Sequence, residues 1–123
     1  MKREIKFRAY SSHNHKMYPV SNIEWDIDDH IWVTADDGKN GIELIDEEAH
    51  LMPYTGLHDK NGREIYEGDI VKNEYGKVMD VNYDPRSAAF GVGDYYFGTI
   101  GSGKILEVIG NIFENPELLE GKQ

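Results

Sequence analysis

Tyr54-Thr55-Gly56-Leu57-His58-Asp59-Lys60-Asn61-Gly62-Arg63-Glu64-Ile65-Tyr66-Glu67-Gly68-Asp69-Ile70-Val71-Lys72 is the stretch from which the rest of the chain is read. Short apolar pieces alternate in it with dense turn chemistry. Asp59-Lys60-Asn61-Gly62 has the composition of a type I turn closed by a glycine at positive φ, the usual link between two antiparallel strands. Glu67-Gly68-Asp69 is a second reversal, and the β-branched pair Ile70-Val71 opens a strand after it. Two reversals this close leave room for short strands alone. The stretch specifies a fold far more clearly than a reaction.

Upstream, residues 2–10 alternate: Ile5, Phe7 and Ala9 point one way, Lys2, Glu4, Lys6 and Arg8 the other. That period of two predicts a strand with one buried face. Residues 11–16 are polar and read as a loop. Met17-Tyr18-Pro19-Val20 returns as a strand that Pro19 confines to an edge or a strand end. Residues 22–35 read as a hairpin. Ile23, Trp25 and Ile27 lead in, Asp28-Asp29-His30 turns, and Ile31-Trp32-Val33-Thr34 leads out. Residues 36–41 form another turn cluster, 42–45 a short strand, and 46–49 the start of a helical turn with nothing apolar after it at helical spacing.

Downstream, residues 73–76 are a tight link, and 77–83 alternate with Met79, Val81 and Tyr83 on one face. Asp84-Pro85-Arg86-Ser87 is a type I turn with proline at its preferred place. Phe90 and Val92 face inward from a strand over 88–92, and Tyr95-Tyr96-Phe97 is aromatic and β-prone. A glycine loop over 98–103 precedes residues 104–113, whose β-branched composition predicts the central strand of the C-terminal half. Asn115-Pro116-Glu117 supplies an N-cap, a proline at the first helical place and an acid in the first turn, with Leu118 and Leu119 to bury.

No amphipathic helix of three turns is present, and turn signals recur every few residues. The expected fold is mainly β, in a single domain over 1–123. A small antiparallel, SH3-like barrel occupies 54–119, the strand and hairpins of 1–53 pack on it, and 120–123 form a tail. A chain of 123 residues buries enough surface for a core without staples. It contains no cysteine, which excludes disulfides and thiolate metal sites. No run of 18 apolar residues occurs, and the charged start has no apolar stretch behind it. The expected compartment is the bacterial cytoplasm, with no membrane contact.

Net charge is −10, unevenly spread. Residues 1–16 carry five Lys/Arg and the single acid Glu4, while 24–48 carry ten acids against Lys39. Phosphate binding runs on counterion release by Lys and Arg, so nucleic acid is not an expected partner. An acidic surface suits a basic protein partner or simple solubility.

Three ordered blocks resemble the YopX family of phage and prophage proteins. The central block is Tyr54-Thr55-Gly56-Leu57, then Asp59-Lys60-Asn61-Gly62, then Glu64-Ile65-Tyr66-Glu67-Gly68-Asp69-Ile70-Val71. Residues 3–10 are similar to the family's N-terminal strand and 108–119 to its C-terminal block; 20–50 and 81–103 carry no block of the resemblance. The resemblance implies a small, mainly β accessory protein of a phage or prophage. It brings no reaction, catalytic residue or cofactor. Tyr54, Gly56, Asp59, Asn61, Gly62, Gly68 and Asp69 form its structural signature.

Several constellations have a bland reading beside the chemical one. Gly98-Thr99-Ile100-Gly101-Ser102-Gly103-Lys104 fits a phosphate-binding loop up to its lysine, but Ile105 stands where Ser or Thr must hold magnesium. His13 and His15 sit two apart without further ligands nearby, so no metal site is expected. Asp26, Asp28 and Asp29 lack the glycine and glutamate spacing of a calcium loop. Asp59, Glu64, Glu67 and Asp69 offer carboxylates for acid–base work, against which stands a role in capping turns. Trp25, Trp32, Tyr95, Tyr96 and Phe97 are the interface candidates, because exposed aromatics mark contact surfaces. The expected function is a non-catalytic protein-binding module that self-associates. The alternatives are an acidic mimic of nucleic acid that blocks a basic host cleft, and a carboxylate-dependent hydrolase.

Overall fold

The computed structural model describes residues 5–36, 41–45, 49–93, 95–96 and 104–120. The chain divides into two compact units, Ile5–Pro53 and one that begins at Tyr54. The turn cluster at 37–40, the segment 46–48, Phe97 and the glycine loop at 98–103 lie outside the described residues.

The first unit holds β1 (Phe7–Ser11), β2 (Lys16–Trp25), β3 (Ile31–Asp36), β4 (Gly41–Ile45) and the first part of β5 (Ala49–His58), antiparallel in the order β4-β3-β2-β1-β5. Alternation builds its core: the register sets Ala9 opposite both Tyr18 and Leu51, and Val33 opposite Leu44. These residues, with Ala35 and Val20, form one apolar cluster. Strand β1 begins later than the alternation predicts, and Ile5 lies before it, 76% exposed.

Strand β2 runs straight through Pro19. Its first four residues pair with β1, and pairing with β3 starts at Val20, so no β3 neighbour is aligned with Pro19. The proline constraint is met inside one long strand, where a break or an edge strand is the sequence expectation. Between Val20 and Asn22 the register slips by one residue, a β-bulge at Ser21. The slip changes the parity of the strand: Tyr18 and Val20 share a face with Ile23 and Trp25. Without it, Ile23 and Trp25 would turn to the opposite face.

The second unit holds the rest of β5, β6 (Glu64–Tyr66), β7 (Asp69–Lys72), β8 (Val78–Asp84), β9 (Ala89–Val92), β10 (Tyr95–Tyr96), β11 (Glu107–Asn111) and a four-residue helix, α1 (Glu117–Glu120). Strand β6 pairs with β5, and a second, five-stranded sheet runs β10-β9-β8-β7-β11. Ile65, Val71, Met79, Val81, Val92 and Leu106 form its core. Val71 faces both Met79 and Val108, and Val81 faces Val92. Tyr83, expected inside, is exposed and packs edge-on against Phe90 at 5.3 Å.

Two expectations need correction here. The sheet is open: among the described residues no ladder joins β10 to β11, so the expected closed SH3-like barrel is not formed. Strand β11, expected at the centre, is an edge strand, because among the described residues β7 is its one ladder partner. Its apolar composition reflects the face it turns to the core.

After β11 the chain is tied down by its own amides. Asn111 is buried; its Oδ1 accepts from the N–H groups of Phe113 and Glu114, and its Nδ2 donates to Glu114 Oε1 at 2.7 Å. Asn115 Oδ1 turns back to accept from Asn111 N at 3.2 Å, while its backbone carbonyl accepts from Leu118. The side chain expected to cap the helix holds the preceding turn. Gly110 makes room for it: a Cβ there would sit 2.6 Å from Asn115 Oδ1 and 3.0 Å from Asn115 Cβ. Gly110→Ala is expected to cost about 1–3 kcal/mol by overpacking. In an Asn115→Ala background the same change should cost less than half as much, measured by urea denaturation as a double-mutant cycle.

Candidate interaction surface

Asp59 is a buried carboxylate at the head of the first signature turn. It is 3% exposed, and Oδ1 accepts from the N–H groups of Asn61 (2.9 Å) and Arg63 (2.8 Å) within its own turn. Oδ2 accepts from Val108 N at 2.9 Å, forty-nine positions away. Arg63 Nη1 donates to Val108 O at 3.1 Å, Lys60 N donates to Leu106 O at 2.9 Å, and Lys60 Nζ lies 3.7 Å from Glu107. The loop therefore clamps strand β11. Val108's N–H and C=O, which an edge strand would leave open, are both engaged. Burial pushes the Asp59 carboxyl up, but the three N–H donors and the Arg63 charge outweigh it, and the group lies below its ordinary 3.8.

The remaining signature residues are backbone devices. Gly56 (φ 91°) and Gly62 (φ 84°) take positive φ that side chains avoid. Gly56 sits in a bulge between Tyr54 and His58, where Thr55 Oγ1 donates to Ile65 O at 2.8 Å in place of a ladder bond. Tyr54 is buried, with its ring 5.5 Å from that of Tyr66. Asp69 Oδ2 accepts from Tyr66 N at 2.8 Å across the second reversal. Gly68 donates to Val81 O and accepts from Ile112 N, tying that reversal to its neighbours. Asp59 and Asp69 thus cap turns. Glu64 accepts from the Tyr66 hydroxyl at 3.0 Å, and burial pushes the Glu67 carboxyl above its ordinary 4.5.

The Asp59 loop recurs twice, which sequence reasoning missed. Asp26-Ile27-Asp28-Asp29-His30 and Asn73-Glu74-Tyr75-Gly76-Lys77 repeat every bond. The first residue's Oδ1 accepts from the third and fifth N–H groups, its N–H donates to the fifth carbonyl, and its carbonyl accepts from the fourth N–H. The fourth place has positive φ each time: 64° at Asp29, 84° at Gly62, 84° at Gly76. The available signal is the spacing Asx-x-x-Gly/Asp-basic, an Asx turn closed by an αL residue. In the first copy Asp26 also accepts from Trp32 Nε1 at 3.3 Å, and its carboxyl lies below its ordinary value, chiefly through the His30 N–H. Its oxygens are engaged by the loop amides and the Trp32 indole.

The interface candidates fall in different places. Trp25 and Trp32 flank the β2–β3 loop, but Glu24 pairs with Trp32 and Trp25 with Ile31, so the two indoles lie on opposite faces. Trp25 is 66% exposed and Trp32 40%. Between them Ile27, which the sequence reading placed on the incoming strand, stands at the loop tip 97% exposed. Tyr95 and Tyr96 form β10 of the other unit. Also unforeseen, Tyr75 on the third loop is exposed beside a groove of ≈ 380 Å³ floored by Met79, Val92 and Leu106. After Lys104 comes a turn and then β11, where a phosphate loop needs a helix. Among the described residues no three His, Asp or Glu side chains converge as metal ligands, and no helix is long and apolar enough to cross a membrane.

A family model described as YopX protein matches residues 6–120. The chain belongs to the YopX family. Among solved structures, protein EF1440 from Enterococcus faecalis is similar to this YopX-family chain at 26% identity, with a TM-score of 0.64 over 96% of this chain and 99% of the other. No curated protein matches.

The buried clamp sets an acid-side prediction. A carboxyl lowered on folding contributes stability that is complete above its unfolded pKa, about 3.9, and is lost as pH falls through the folded value. Asp59→Asn places an N–H donor against the loop or β11 donors and should cost about 2–3 kcal/mol at pH 7. Glu67 works with the opposite sign, since its raised pKa favours the protonated fold at low pH. Urea denaturation should therefore show the gap between wild type and Asp59→Asn narrowing below pH 4, with Glu67→Gln changed in the other direction.

Proposed function

We propose that this YopX-family chain is a non-catalytic protein-binding module, that the β2–β3 tip is its contact face, and that copies of the chain also associate with one another. The observation that carries this reading is the exposure of Ile27 at the hairpin tip, with Trp25 exposed on one face beside it and Trp32 on the other. Ile27 contributes nothing to a core, and large apolar side chains clustered in the open are the composition of contact sites. Two of the four signature carboxylates support the same side of the choice, because Asp59 and Asp69 accept from backbone donors as turn caps. An accessory role for a phage or prophage in the bacterial cytoplasm goes with this proposal.

Acid around the tip opposes close approach of like copies at low salt, and screening relieves it. Sedimentation velocity at tens of micromolar is expected to show a faster boundary that grows with salt and concentration. Trp25→Ala/Ile27→Ser should return it to a single monomeric boundary. A monomeric wild type at every salt concentration removes the self-association.

A further inference from the structure

Strand β2 changes partner half-way, and among the described residues the change leaves one edge uncovered. Its ladder to β1 ends at Arg8–Pro19, and among the described residues no strand pairs with residues 20–25 on that side. On the other side the ladder to β3 continues to Trp25–Ile31. The orientation of the open backbone groups follows from the loop. Asp26 N donates to His30 O, which makes 26–30 a hydrogen-bonded pair. Antiparallel pairs alternate, so Glu24–Trp32 and Asn22–Thr34 are bonded as well, and the N–H and C=O of Ile23 and Trp25 point away from β3. They form a short row of donors and acceptors in line with β1.

The two faces beside this edge differ in chemistry. Where β1 and β2 diverge, a cleft of ≈ 250 Å³ opens, lined on its apolar side by Ile5, Phe7, Val20 and Ile23. The bulge at Ser21 is what brings Ile23 and Trp25 to that face. The opposite face carries Asn22 and Glu24, with Asp28 and Asp29 exposed at the loop. A strand laid along the edge would set every second side chain over the cleft and Trp25, and the others over acid.

We propose that the open edge of β2 is a strand-addition site for an extended segment of a partner protein with alternating apolar and basic residues, aligned antiparallel to β2 as β1 is. Main-chain bonds to Ile23 and Trp25 hold the segment. Its apolar side chains enter the cleft, and its Lys or Arg side chains meet Glu24. The charge pattern selects this occupant over a second copy of β2, whose one acid, Glu24, would be brought to the same acidic face and whose residues 20–25 carry no Lys or Arg. The inference rests on the reading of the chain as a binding module and adds where the partner's backbone lies.

The test uses the full chain and fluorescein-labelled (Lys-Val)4. Binding by anisotropy should be saturable, (Glu-Val)4 should not bind, and Glu24→Lys should weaken (Lys-Val)4 roughly tenfold. In an antiparallel ladder the residue opposite Ile23 shares its face, so the peptide's valine N–H groups point at β2. N-methylation of the valines should abolish binding, and N-methylation of the lysines should leave it. Hydrogen exchange gives a second readout. The Ile23 and Trp25 amides should exchange fast in the dilute free chain and slow with peptide, while Asn22 and Glu24 stay protected throughout. Equal loss from both methylation patterns, equal binding of (Glu-Val)4, or Ile23 and Trp25 amides unchanged by peptide would overturn the inference. Ile27→Ser separates it from the wider reading: if that single change abolishes association between copies while (Lys-Val)4 fails to bind the wild type, the tip stands and the edge site falls.

Discussion

A single carboxylate, Asp59, holds three backbone N–H groups, two in its own turn and one on the last strand. Hydrogen bonds to a charged acceptor are worth about 1.5–3 kcal/mol each, and a buried carboxylate costs several kcal/mol to desolvate. The two effects are of the same order, so the arrangement holds only while every lone pair is matched. That makes it all-or-none: the turn, the Val108 amide and the Arg63 guanidinium either assemble together or leave a buried charge without partners. Because the bond to Val108 spans forty-nine positions, the signature loop and the C-terminal block are mutually dependent. Their joint presence in the chain has a mechanical cause.

One loop geometry serves different purposes according to its burial. At Asp59 the second and third places, Lys60 and Asn61, are polar, and the loop bonds to β11. At Asp26 and Asn73 the same bonding scheme carries Ile27 and Tyr75 into solvent. The Asx side chain replaces the strand partner that a turn lacks, so the middle residues are released from any folding duty. A loop of that kind presents whatever side chain it is given. The two strand edges show the same economy. Val108 on the β11 edge has its outward groups engaged by Asp59 and Arg63, whereas among the described residues no strand pairs with β2 beyond Pro19 on the β1 side.

What the sequence by itself determined is local. Alternation marked Phe7 and Ala9, Met79 and Val81, and Phe90 and Val92 as strand pairs. Asx-Gly chemistry placed the reversals at Asp59 and Glu67, and the positive φ of Gly62 follows from the turn type alone. These signals lie within a few residues of their consequence. The tip residue Ile27 was misplaced because an apolar residue continues an apparent alternation of Ile23 and Trp25, and nothing local says that Asp26 has already begun the turn.

The tertiary structure decided everything that depends on partners distant in the chain. Whether β11 is central or an edge rests on which strands pair with it, and its β-branched composition fits either. Whether Asp59 titrates like a surface acid or is held low depends on Val108 arriving at its second oxygen. The bulge at Ser21 follows from the ladder to β3, which sets Val20 opposite Ala35 and Asn22 opposite Thr34. Its meaning needed β3 alongside, because register is a property of two strands and one strand's sequence carries half of it.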